Sequence, residues 1–238
     1  MTKLSVNVNK VAVLRNSRGG NIPCVLNVAR DIETFGADGI TVHPRPDARH
    51  IRYSDVYDLK ANLRTELNIE GNPIPSFIDL VLNVVPSQVT LVPDAADAIT
   101  SSAGWDVKQN FDFLKDVTET FKQKGIRVSI FVDASEAQVE EASRVGADRV
   151  ELYTEAYASG YTSSPEKAIE KYLRAAQVAR ECSLGLNAGH DLSLVNLKYF
   201  HDIIPWCDEV SIGHALISDA LYLGLKETIT RYKRCLDE

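Results

Sequence analysis

The stretch at residues 35–42 reads FGADGITV, and residues 145–152 read VGADRVEL. In both copies a glycine follows a segment whose apolar residues have helical spacing, and a short strand-like run comes next. Glycine at such a place favours the left-handed backbone that ends a helix. The two copies therefore predict a helix, a tight turn and a strand in succession. Gly-Ala-Asp before a strand is common in α/β proteins, so the similarity supports βα architecture rather than an internal duplication.

Outward from these copies, short runs with strand composition recur along the chain, separated by longer segments with helical spacing. Eight strands are predicted: Leu4–Val8, Gly39–Val42, Glu66–Ile69, Gln88–Val92, Arg127–Val132, Arg149–Tyr153, Gly185–Asn187 and Glu209–Ile212. Eight βα units of about 30 residues would fill the chain, whereas an open doubly wound sheet usually has fewer strands. The prediction is an α/β fold, a (β/α)8 TIM barrel, forming a single domain over residues 1–238.

Two connections exceed the minimal βα unit. Asn9–Pro23 follows the first strand, and Asp94–Asp106 is a polar loop after the fourth. All the other connections are short enough for one helix with its turns. Long loops after barrel strands rise from the face that carries the active site, so both segments are candidates for function.

Composition excludes several classes of protein. The chain has 238 residues, 45% hydrophobic and 25% charged, and 26 basic against 33 acidic residues give a formal charge of −7. This balance argues against nonspecific binding to nucleic acid or to an anionic membrane. No apolar stretch approaches the ~20 residues that span a bilayer, and polar residues interrupt the N-terminal segment before it could form a signal peptide.

The four cysteines have neither C-x-x-C nor zinc-ligand spacing, which predicts reduced thiols. They are Cys24, Cys182, Cys207 and Cys235. With the composition, this spacing predicts a cytoplasmic protein that binds neither nucleic acid nor membrane.

Titratable side chains concentrate where the predicted strands end. His43 ends the second strand, Glu70 the third and His214 the eighth, while His190 follows the seventh and Glu151 lies within the sixth. A single histidine at a strand end is as consistent with a structural role as with a catalytic one. Three histidines and two carboxylates converging on one barrel mouth favour catalysis. His50 follows in the loop after His43, whereas His201 falls in a helix and is predicted to be a partly exposed surface residue.

Arginines and glycines near the same strand ends suggest phosphate binding. Arg15 and Arg18 precede Gly19-Gly20, and Arg45 and Arg49 lie in the loop after the second strand. Guanidinium groups fit phosphate oxygens, and glycines let backbone N–H groups approach an anion. Solvated surface arginines are the alternative, above all for Arg49. Gly213-His214 opens the last helical segment, with Ser218 in its first turn, and this places backbone donors at a positive helix end.

A metal site is a competing interpretation. His43, Glu70, Glu151, His190 and His214 would supply enough ligands for a metal-dependent sugar isomerase. The chain has no H-x-H or D-x-H spacing, however, and the arginines would repel a cation. A Schiff-base enzyme needs a lysine at a strand end, and only Lys10 comes near one.

Motifs distributed from the first strand to the last helix resemble the pyridoxine 5′-phosphate synthase family of the deoxyxylulose-phosphate-dependent vitamin B6 pathway. The motifs are LSVNVN (4–9), LRNSRG (14–19), GADGITVHPR (36–45), RHI (49–51), LNIE (67–70), LVP (91–93), NAGH (187–190) and IGHA (212–215). Their combination and order make the resemblance specific.

The resemblance implies a cytosolic TIM barrel with an extra helical segment, assembled as a homo-octamer and needing no metal or organic cofactor. Its substrates would be two phosphorylated small molecules. The implied reaction condenses 1-deoxy-D-xylulose 5-phosphate with 3-amino-2-oxopropyl phosphate into pyridoxine 5′-phosphate, inorganic phosphate and water.

The resemblance also implies roles for individual residues. His43 and Glu70 would be proton acceptors, His190 a proton donor, and Glu151 would stabilise cationic imine character or orient a substrate, although a structural role for this buried carboxylate stays open. The aminoketone phosphate would contact the residues Asn7, Arg18, Asp191, Gly213 and His214. The deoxyxylulose phosphate would contact Asn9, Arg45, His50 and Thr100.

The chain departs from the family pattern at two places. Many members have Asp-His where this chain has Asn9-Lys10, and a glycine where it has Asp191. Asn9 still donates and accepts hydrogen bonds, and a contact made by the backbone N–H of residue 191 would survive the change. Since a carboxylate close to a phosphate is unfavourable, we expect the Asp191 side chain to face away from the ligand.

Two further functions remain open from the residues themselves: a metal-dependent sugar-phosphate isomerase or aldolase on the same barrel, and a noncatalytic barrel that binds a phosphorylated ligand. The joint presence of His43, Glu70 and His190 argues against the noncatalytic barrel, because binding a phosphate requires neither bases nor an acid.

Overall fold

A computed structural model describes residues 1–94 and 101–237 of the chain. Eight parallel strands close into a barrel in which each strand pairs with the next and β8 pairs with β1. The strands are β1 Lys3–Asn7, β2 Gly39–Val42, β3 Glu66–Gly71, β4 Gln88–Leu91, β5 Arg127–Val132, β6 Arg149–Tyr153, β7 Gly185–Gly189 and β8 Glu209–Ile212. The predicted (β/α)8 TIM barrel and all eight predicted strands are confirmed, with differences of one or two residues at some ends.

Eleven helices surround the barrel within the described ranges. They are α1 Asn9–Asn16, α2 Val25–Thr34, α3 Tyr53–Asn62, α4 Pro75–Val84, α5 Phe111–Lys122, α6 Glu136–Val145, α7 Glu155–Tyr161, α8 Pro165–Glu181, α9 Leu197–Ile203, α10 His214–Leu223 and α11 Leu225–Asp237. The first connection carries the extra helix α1, in agreement with its excess length.

The prediction of a single helix was wrong for the sixth connection, which carries both α7 and α8. Ser163 and Ser164 interrupt the helical pattern there, and Pro165 restarts it as the first residue of α8. Proline at a first helical position is favoured because that N–H has no intrahelical partner. This helix start is visible in the sequence and divides the segment in two. The chain after β8 likewise divides into α10 and α11 at Gly224, whose φ is +76°.

The two Gly-Ala-Asp copies perform the same structural task. Gly36 and Gly146 have φ of +104° and +92°, as a helix-ending glycine requires. The next residue's N–H then donates back to the helix, from Ala37 to Ile32 O at 3.2 Å and likewise in the second copy. Each aspartate side chain accepts a hydrogen bond from the preceding barrel strand, as when Leu4 N donates to Asp38 Oδ2 at 2.9 Å. The motif therefore ends a helix and also ties adjacent strands together.

Strand residues that alternate with the apolar ones place polar side chains inside the barrel. Ser5 Oγ lies 2.7 Å from Thr41 Oγ1, and Thr90 Oγ1 donates to Asn68 Oδ1 at 3.1 Å. The other face of each strand is apolar and packs against the helices, as Leu4, Ile40 and other fully buried aliphatic residues do. Branched aliphatic residues usually fill the interior of such barrels. In this chain the apolar core lies mainly between strands and helices, and the barrel interior is polar.

Charged residues close the amino end of the barrel, opposite the mouth. Glu66 pairs with both Lys3 and Arg127, and Arg149 lies 3.9 Å from the buried carboxylate of Glu209. Ion pairs at this end of the barrel serve stability rather than chemistry in this fold. Within the described ranges, no helix has the length and apolar character to cross a membrane.

Candidate active site

A histidine and a glutamate from adjacent strands meet at the barrel mouth. His43 directly follows β2 and Glu70 is the penultimate residue of β3, and Nδ1 of His43 lies 4.0 Å from Oε2 of Glu70. Their side chains are only 8% and 13% exposed. Asn7, the last residue of β1, donates its amide Nδ2 to the same Glu70 oxygen at 3.4 Å. The structure thus brings three of the predicted site residues into one cluster.

Burial shifts the protonation equilibria of this pair in opposite directions. Loss of solvation, with smaller contributions from Asp94 and Glu209, raises the pKa of Glu70 to about 8. Loss of solvation and the charges of Arg45 and His50 hold the pKa of His43 well below its usual value. Both shifts follow from the cost of holding a charge where water is excluded. At neutral pH His43 is neutral, and Glu70 is mostly protonated.

Glu151 lies deeper in the barrel, 3% exposed. Thr90 Oγ1 lies 3.5 Å from Glu151 Oε2, and burial together with the charges of Glu70 and Glu209 raises the pKa of Glu151 well above its usual value. The backbone of Gly189 passes directly over this carboxyl, since a Cβ added at Gly189 would lie 2.2 Å from Glu151 Oε1. A side chain at this position would force the Glu151 carboxyl to move, so glycine lets Glu151 occupy the space beneath the mouth.

Asn9 links the first strand to the His43 segment. Its Oδ1 accepts the backbone N–H of His43 at 2.9 Å, and its own backbone N–H donates to Asn7 Oδ1 at 3.0 Å. An aspartate would accept the same hydrogen bond from His43. Asn9 therefore fills the acceptor role that the resemblance assigns to an aspartate at this position.

His50 lies beside His43, with ring centroids 6.2 Å apart in an edge-to-face arrangement. Its Nδ1 accepts the backbone N–H of Ile51 at 2.9 Å, which leaves Nε2 to carry the proton of the neutral ring. Burial, followed by the charges of Arg45, Lys10 and Arg49, lowers the pKa of His50 to about 4. A neutral His50 can donate one hydrogen bond from Nε2 to an anion.

Arg45 is buried against a carboxylate that the sequence interpretation did not single out. Arg45 Nη2 lies 2.5 Å from Asp94 Oδ2, with both side chains at most 5% exposed, and Ser101 Oγ donates to the same Asp94 oxygen at 2.8 Å. Arg45 and Asp94 border a cavity of about 60 Å³ whose other walls include Tyr53 and Phe77. Asp94 follows the strand-ending Leu91-Val92-Pro93, so searching the strand ends for carboxylates would have found it.

Arg15 is not placed to bind a phosphate, contrary to the suggestion from sequence. It is 1% exposed, and its guanidinium donates to Asp55 Oδ1 at 2.6 Å and to the carbonyl of His50 at 2.9 Å. Asn16 Nδ2 is within hydrogen-bond distance of the carbonyls of residues 48, 49 and 50. Together the two side chains secure the loop that carries Arg45 and His50. Arg49, whose side chain is 28% exposed, pairs with the half-exposed Asp47 at 2.7 Å.

His190 and Asp191 form a left-handed turn after β7. Their φ angles are +83° and +58°, values uncommon for residues other than glycine, although asparagine, aspartate and histidine are enriched there. A glycine would adopt this backbone without strain and aspartate tolerates it better than most residues, which accounts for the departure at position 191. Asp191 Oδ2 lies 3.1 Å from His190 Nδ1, and this hydrogen bond lowers the pKa of Asp191.

The remaining predicted residues lie around the mouth or outside the described ranges. Gly213 packs on Asn7, because an added Cβ would lie 3.1 Å from Asn7 Cβ, and the exposed His214 begins α10. Ser218 Oγ donates within that helix to the His214 carbonyl at 2.8 Å. Arg18 is exposed in the turn after α1 rather than in the buried cluster. Thr100 lies outside the described residues.

His201 is partly exposed in α9, as expected, and its Nδ1 lies 3.1 Å from Thr2 Oγ1. Among residues 1–94 and 101–237, no group of three or more His, Cys, Asp or Glu side chains is arranged to hold a metal ion. All four cysteines lie within the described ranges and none of them forms a disulfide bond; Cys207 is buried.

Solved structures share the barrel at low sequence identity. The orotidine 5′-monophosphate decarboxylase of Methanocaldococcus jannaschii aligns with a TM-score of 0.65 at 14% identity over 100% of both chains. N-(5′-phosphoribosyl)anthranilate isomerase from Pyrococcus furiosus aligns with a TM-score of 0.64 at 14% identity, covering 99% of this chain and 98% of the isomerase. Similarity at this level establishes the fold alone.

Sequence relatives are far closer. The pyridoxine 5′-phosphate synthase of Phocaeicola vulgatus is 66% identical over 99% of both chains. The enzymes of the same name from Parabacteroides distasonis, 63% identical over 100% of both chains, and from Christiangramia forsetii, 59% identical over 99% of this chain and 100% of the relative, are also similar. The model of the family described as pyridoxal phosphate biosynthesis protein PdxJ matches residues 4–238. With this match over nearly its whole length, the chain belongs to the PdxJ family.

Proposed function

We propose that the chain is a pyridoxine 5′-phosphate synthase of vitamin B6 biosynthesis. It condenses 1-deoxy-D-xylulose 5-phosphate with 3-amino-2-oxopropyl phosphate and forms pyridoxine 5′-phosphate, inorganic phosphate and water. The observation that carries the proposal is the buried His43–Glu70 pair, 4.0 Å apart at the ends of adjacent strands, in a chain of the PdxJ family. Full-length relatives bearing this enzyme's name support the same activity.

His43 is proposed as the proton acceptor when the amine of one substrate attacks the carbonyl of the other. The nitrogen must lose a proton as the C–N bond forms, and the carbonyl oxygen must gain protons before it leaves as water. The low pKa of His43 keeps its imidazole neutral and able to accept the nitrogen proton at neutral pH. His190, on the strand end across the mouth, is the proposed donor to the leaving oxygen.

Glu70 is proposed as the second acceptor, in the eliminations and ring closure that follow. A carboxylate whose pKa is about 8 is a far stronger base than an ordinary glutamate, and about a tenth of it is ionised at pH 7. A base with a pKa close to the working pH combines availability with driving force. The buried Glu151 below it is proposed to stabilise cationic imine character, for which its pairing with a positive intermediate would offset the cost of ionisation.

Two sets of side chains are proposed to hold the two phosphorylated substrates. The set for the aminoketone phosphate is Asn7, Arg18, Asp191, Gly213 and His214, and that for the deoxyxylulose phosphate is Asn9, Arg45, His50 and Thr100. Neutral His50 and buried Arg45 support the second set, because both present donors in a region of low solvation. The Asp191 carboxylate is proposed to stay with His190 while the backbone N–H of residue 191 meets the ligand, consistent with its 3.1 Å contact.

No metal or organic cofactor is proposed to take part, since side chains at the mouth can carry the required proton transfers. Activity that disappears in chelator and returns with one stoichiometric metal would contradict this and favour the metal-dependent sugar-phosphate isomerase or aldolase. Binding of phosphorylated ligands without any turnover would favour the noncatalytic barrel.

Homo-oligomerisation is proposed, up to the octamer that the family resemblance implies. Exposed apolar side chains support it: Val13 and Leu14 on α1, and Leu221 and Tyr222 on α10, where they are 77% and 90% exposed. The two helices contact each other, so an apolar surface of this kind points to a protein interface. Light scattering should give a mass of several times the 26.3 kDa chain. A cytoplasmic location is proposed as well, which cell fractionation would test.

The decisive assay incubates purified protein with both substrates and measures pyridoxine 5′-phosphate and released phosphate. His43→Asn and Glu70→Gln should each lower kcat by about 10²–10⁴, as expected for lost acid–base catalysis. His201→Asn is the matched control, because His201 lies on α9 with Thr2 rather than at the mouth. A folded wild-type protein that forms no product would refute the proposed function.

A further inference from the structure

Thr154 occupies the residue before α7, where a threonine side chain usually accepts a hydrogen bond from its own helix. Here no such capping bond is formed. The hydroxyl instead reaches the end of the neighbouring strand, where it is 2.7 Å from the carbonyl oxygen of Gly189 and also contacts that of His190. A helix loses about 1 kcal/mol when its cap is missing. The Thr154 side chain therefore leaves the first turn of α7 without its usual cap and bonds to the end of β7 instead.

The backbone N–H of Thr154 also binds the end of β7. It donates to the Gly189 carbonyl at 3.0 Å and extends the β6–β7 pairing, in which Tyr153 is opposite Gly189, by one residue. Thr154 is fully buried, so water does not compete for these contacts. A single side chain and its own N–H therefore hold two successive carbonyls, those of Gly189 and His190.

The segment held in this way has an unfavourable backbone. His190 has a φ of +83° and Asp191 one of +58°, in a region that non-glycine residues occupy at a cost of about 1–3 kcal/mol each. Such a conformation persists only where the surroundings enforce it. Asn196 supplies a second restraint, donating Nδ2 to the Asp191 carbonyl at 3.2 Å.

This backbone determines where the His190 ring lies. The Cβ position of Gly189 faces Glu151 inside the barrel. Because side chains alternate between the two faces of a strand, the side chain of residue 190 would face away from the interior if β7 continued. The left-handed turn instead places the His190 ring edge-to-face with Tyr153, with centroids 5.1 Å apart. It also brings His190 close enough to His43 for its charge to contribute to the lowered pKa of His43.

We infer that Thr154 is a positioning residue for His190: its hydroxyl and N–H hold the strained turn that presents the imidazole to the substrates. The catalytic part of this inference rests on the proposed function, in which His190 is the proton donor. The positioning part concerns the ligand-free protein and is measurable without substrate.

The test compares Thr154→Val, which keeps the shape but loses the hydroxyl, with Thr154→Ser, which keeps the hydroxyl. Thr228→Val is the matched control, because Thr228 is also fully buried and donates to a backbone carbonyl, that of Gly224, but lies on α11. The first readout is the ¹H–¹³C spectrum of the five histidine rings, with His190 assigned from His190→Asn. Only Thr154→Val should move the His190 resonances and weaken the contact between the His190 and Tyr153 rings.

The second readout is kinetic. Misplacing a catalytic group by about 1 Å can cost about 10²-fold in rate, so Thr154→Val should lower kcat about 10–100-fold with KM changed less than about threefold. Thr154→Ser should recover kcat to within about threefold of wild type. Thr154→Cys, which keeps the size of serine with a weaker donor, replaces the valine variant if that one does not fold.

The two readouts separate the possible failures. Unchanged His190 resonances in folded Thr154→Val would overturn the positioning role whatever the enzyme does. Displaced resonances with an unchanged kcat would overturn the role in catalysis. A wild-type protein without synthase activity would refute the proposed function, while the spectra would still decide whether Thr154 holds His190.

Discussion

Glu70→Gln should make the folded protein increasingly more stable than wild type as the pH rises. The pKa of Glu70 is about 8 in the folded state, against 4.5 for an unperturbed glutamate, because the carboxyl is buried near Asp94 and Glu209. Between those values the folded state binds more protons than the unfolded state, so unfolding becomes easier as pH increases. The stability contributed by protonated Glu70 is present in full below the unfolded pKa and is lost as pH rises through about 8.

The size of the effect follows from the two pKa values. Converted at ~1.4 kcal/mol per pH unit, the rise from 4.5 to about 8 sets an upper limit of ~5 kcal/mol. Of this, ~4 kcal/mol should be lost between pH 5 and pH 9. Glutamine keeps a similar shape and does not ionise, so the variant is spared this loss and can still accept a hydrogen bond from Asn7 Nδ2.

Urea unfolding of both proteins at pH 5, 6, 7, 8 and 9, at one fixed protein concentration, measures the difference in free energy. Glu140→Gln is the control, since it makes the same substitution at an exposed glutamate on α6. If the difference between Glu70→Gln and wild type changes by less than about 1 kcal/mol over this range, the folded-state pKa of Glu70 is not raised as burial requires. A variant that becomes less stable than wild type at high pH would refute the raised folded-state pKa of Glu70.

Three other results are expected. First, kcat/KM should rise with pH up to about 8, because Glu70 must be ionised to accept a proton; a profile that stays flat from pH 6 to 9 would remove Glu70 from that role. Second, Gly189→Ala would place a methyl group 2.2 Å from Glu151 Oε1 and force that carboxyl to move, so steady-state kinetics should show a kcat reduced by about 10²-fold. Wild-type kinetics would contradict the close packing of Gly189 on Glu151. Third, Asp94→Asn leaves the buried Arg45 without its carboxylate and should lower the free energy of unfolding by about 3–5 kcal/mol, whereas the double variant Arg45→Met/Asp94→Leu should restore much of that loss. Equal stability of wild type and both variants in urea would show that the pair is not buried.

Local sequence rules were sufficient for the barrel and for part of its site. The strands could be located because they are short runs rich in strand-forming residues. The carboxyl ends of parallel barrel strands all lie at the same end of the barrel, so the proximity of His43 and Glu70 follows from the positions of β2 and β3. The Gly-Ala-Asp turns could also be predicted, because glycine by itself favours the positive φ that ends a helix. The split of the sixth connection was missed although Pro165 marks it.

Other features depend on contacts between residues far apart in the chain. Arg15 looks like a phosphate ligand in the sequence, but its partners Asp55 and His50 make it a buried structural residue. The ion pair between Arg45 and Asp94 joins the loop after β2 to the loop after β4. The left-handed turn at His190 is hydrogen-bonded by Thr154, the residue after β6, and the enrichment of histidine at positive φ is too small to predict this turn from the sequence.

The sequence by itself determined that polar and apolar residues alternate along the strands, as in Ser5-Val6-Asn7 and Asn68-Ile69-Glu70. In an open sheet that pattern would indicate one face in water. Only closure of the barrel decided that the polar face is enclosed, with Glu151 3% exposed and the His43 side chain 8% exposed. Enclosure removes the water that would stabilise their charged forms, and for this reason the pKa of Glu70 rises while that of His43 falls. The residue types come from the sequence, and their acid–base properties come from the tertiary structure.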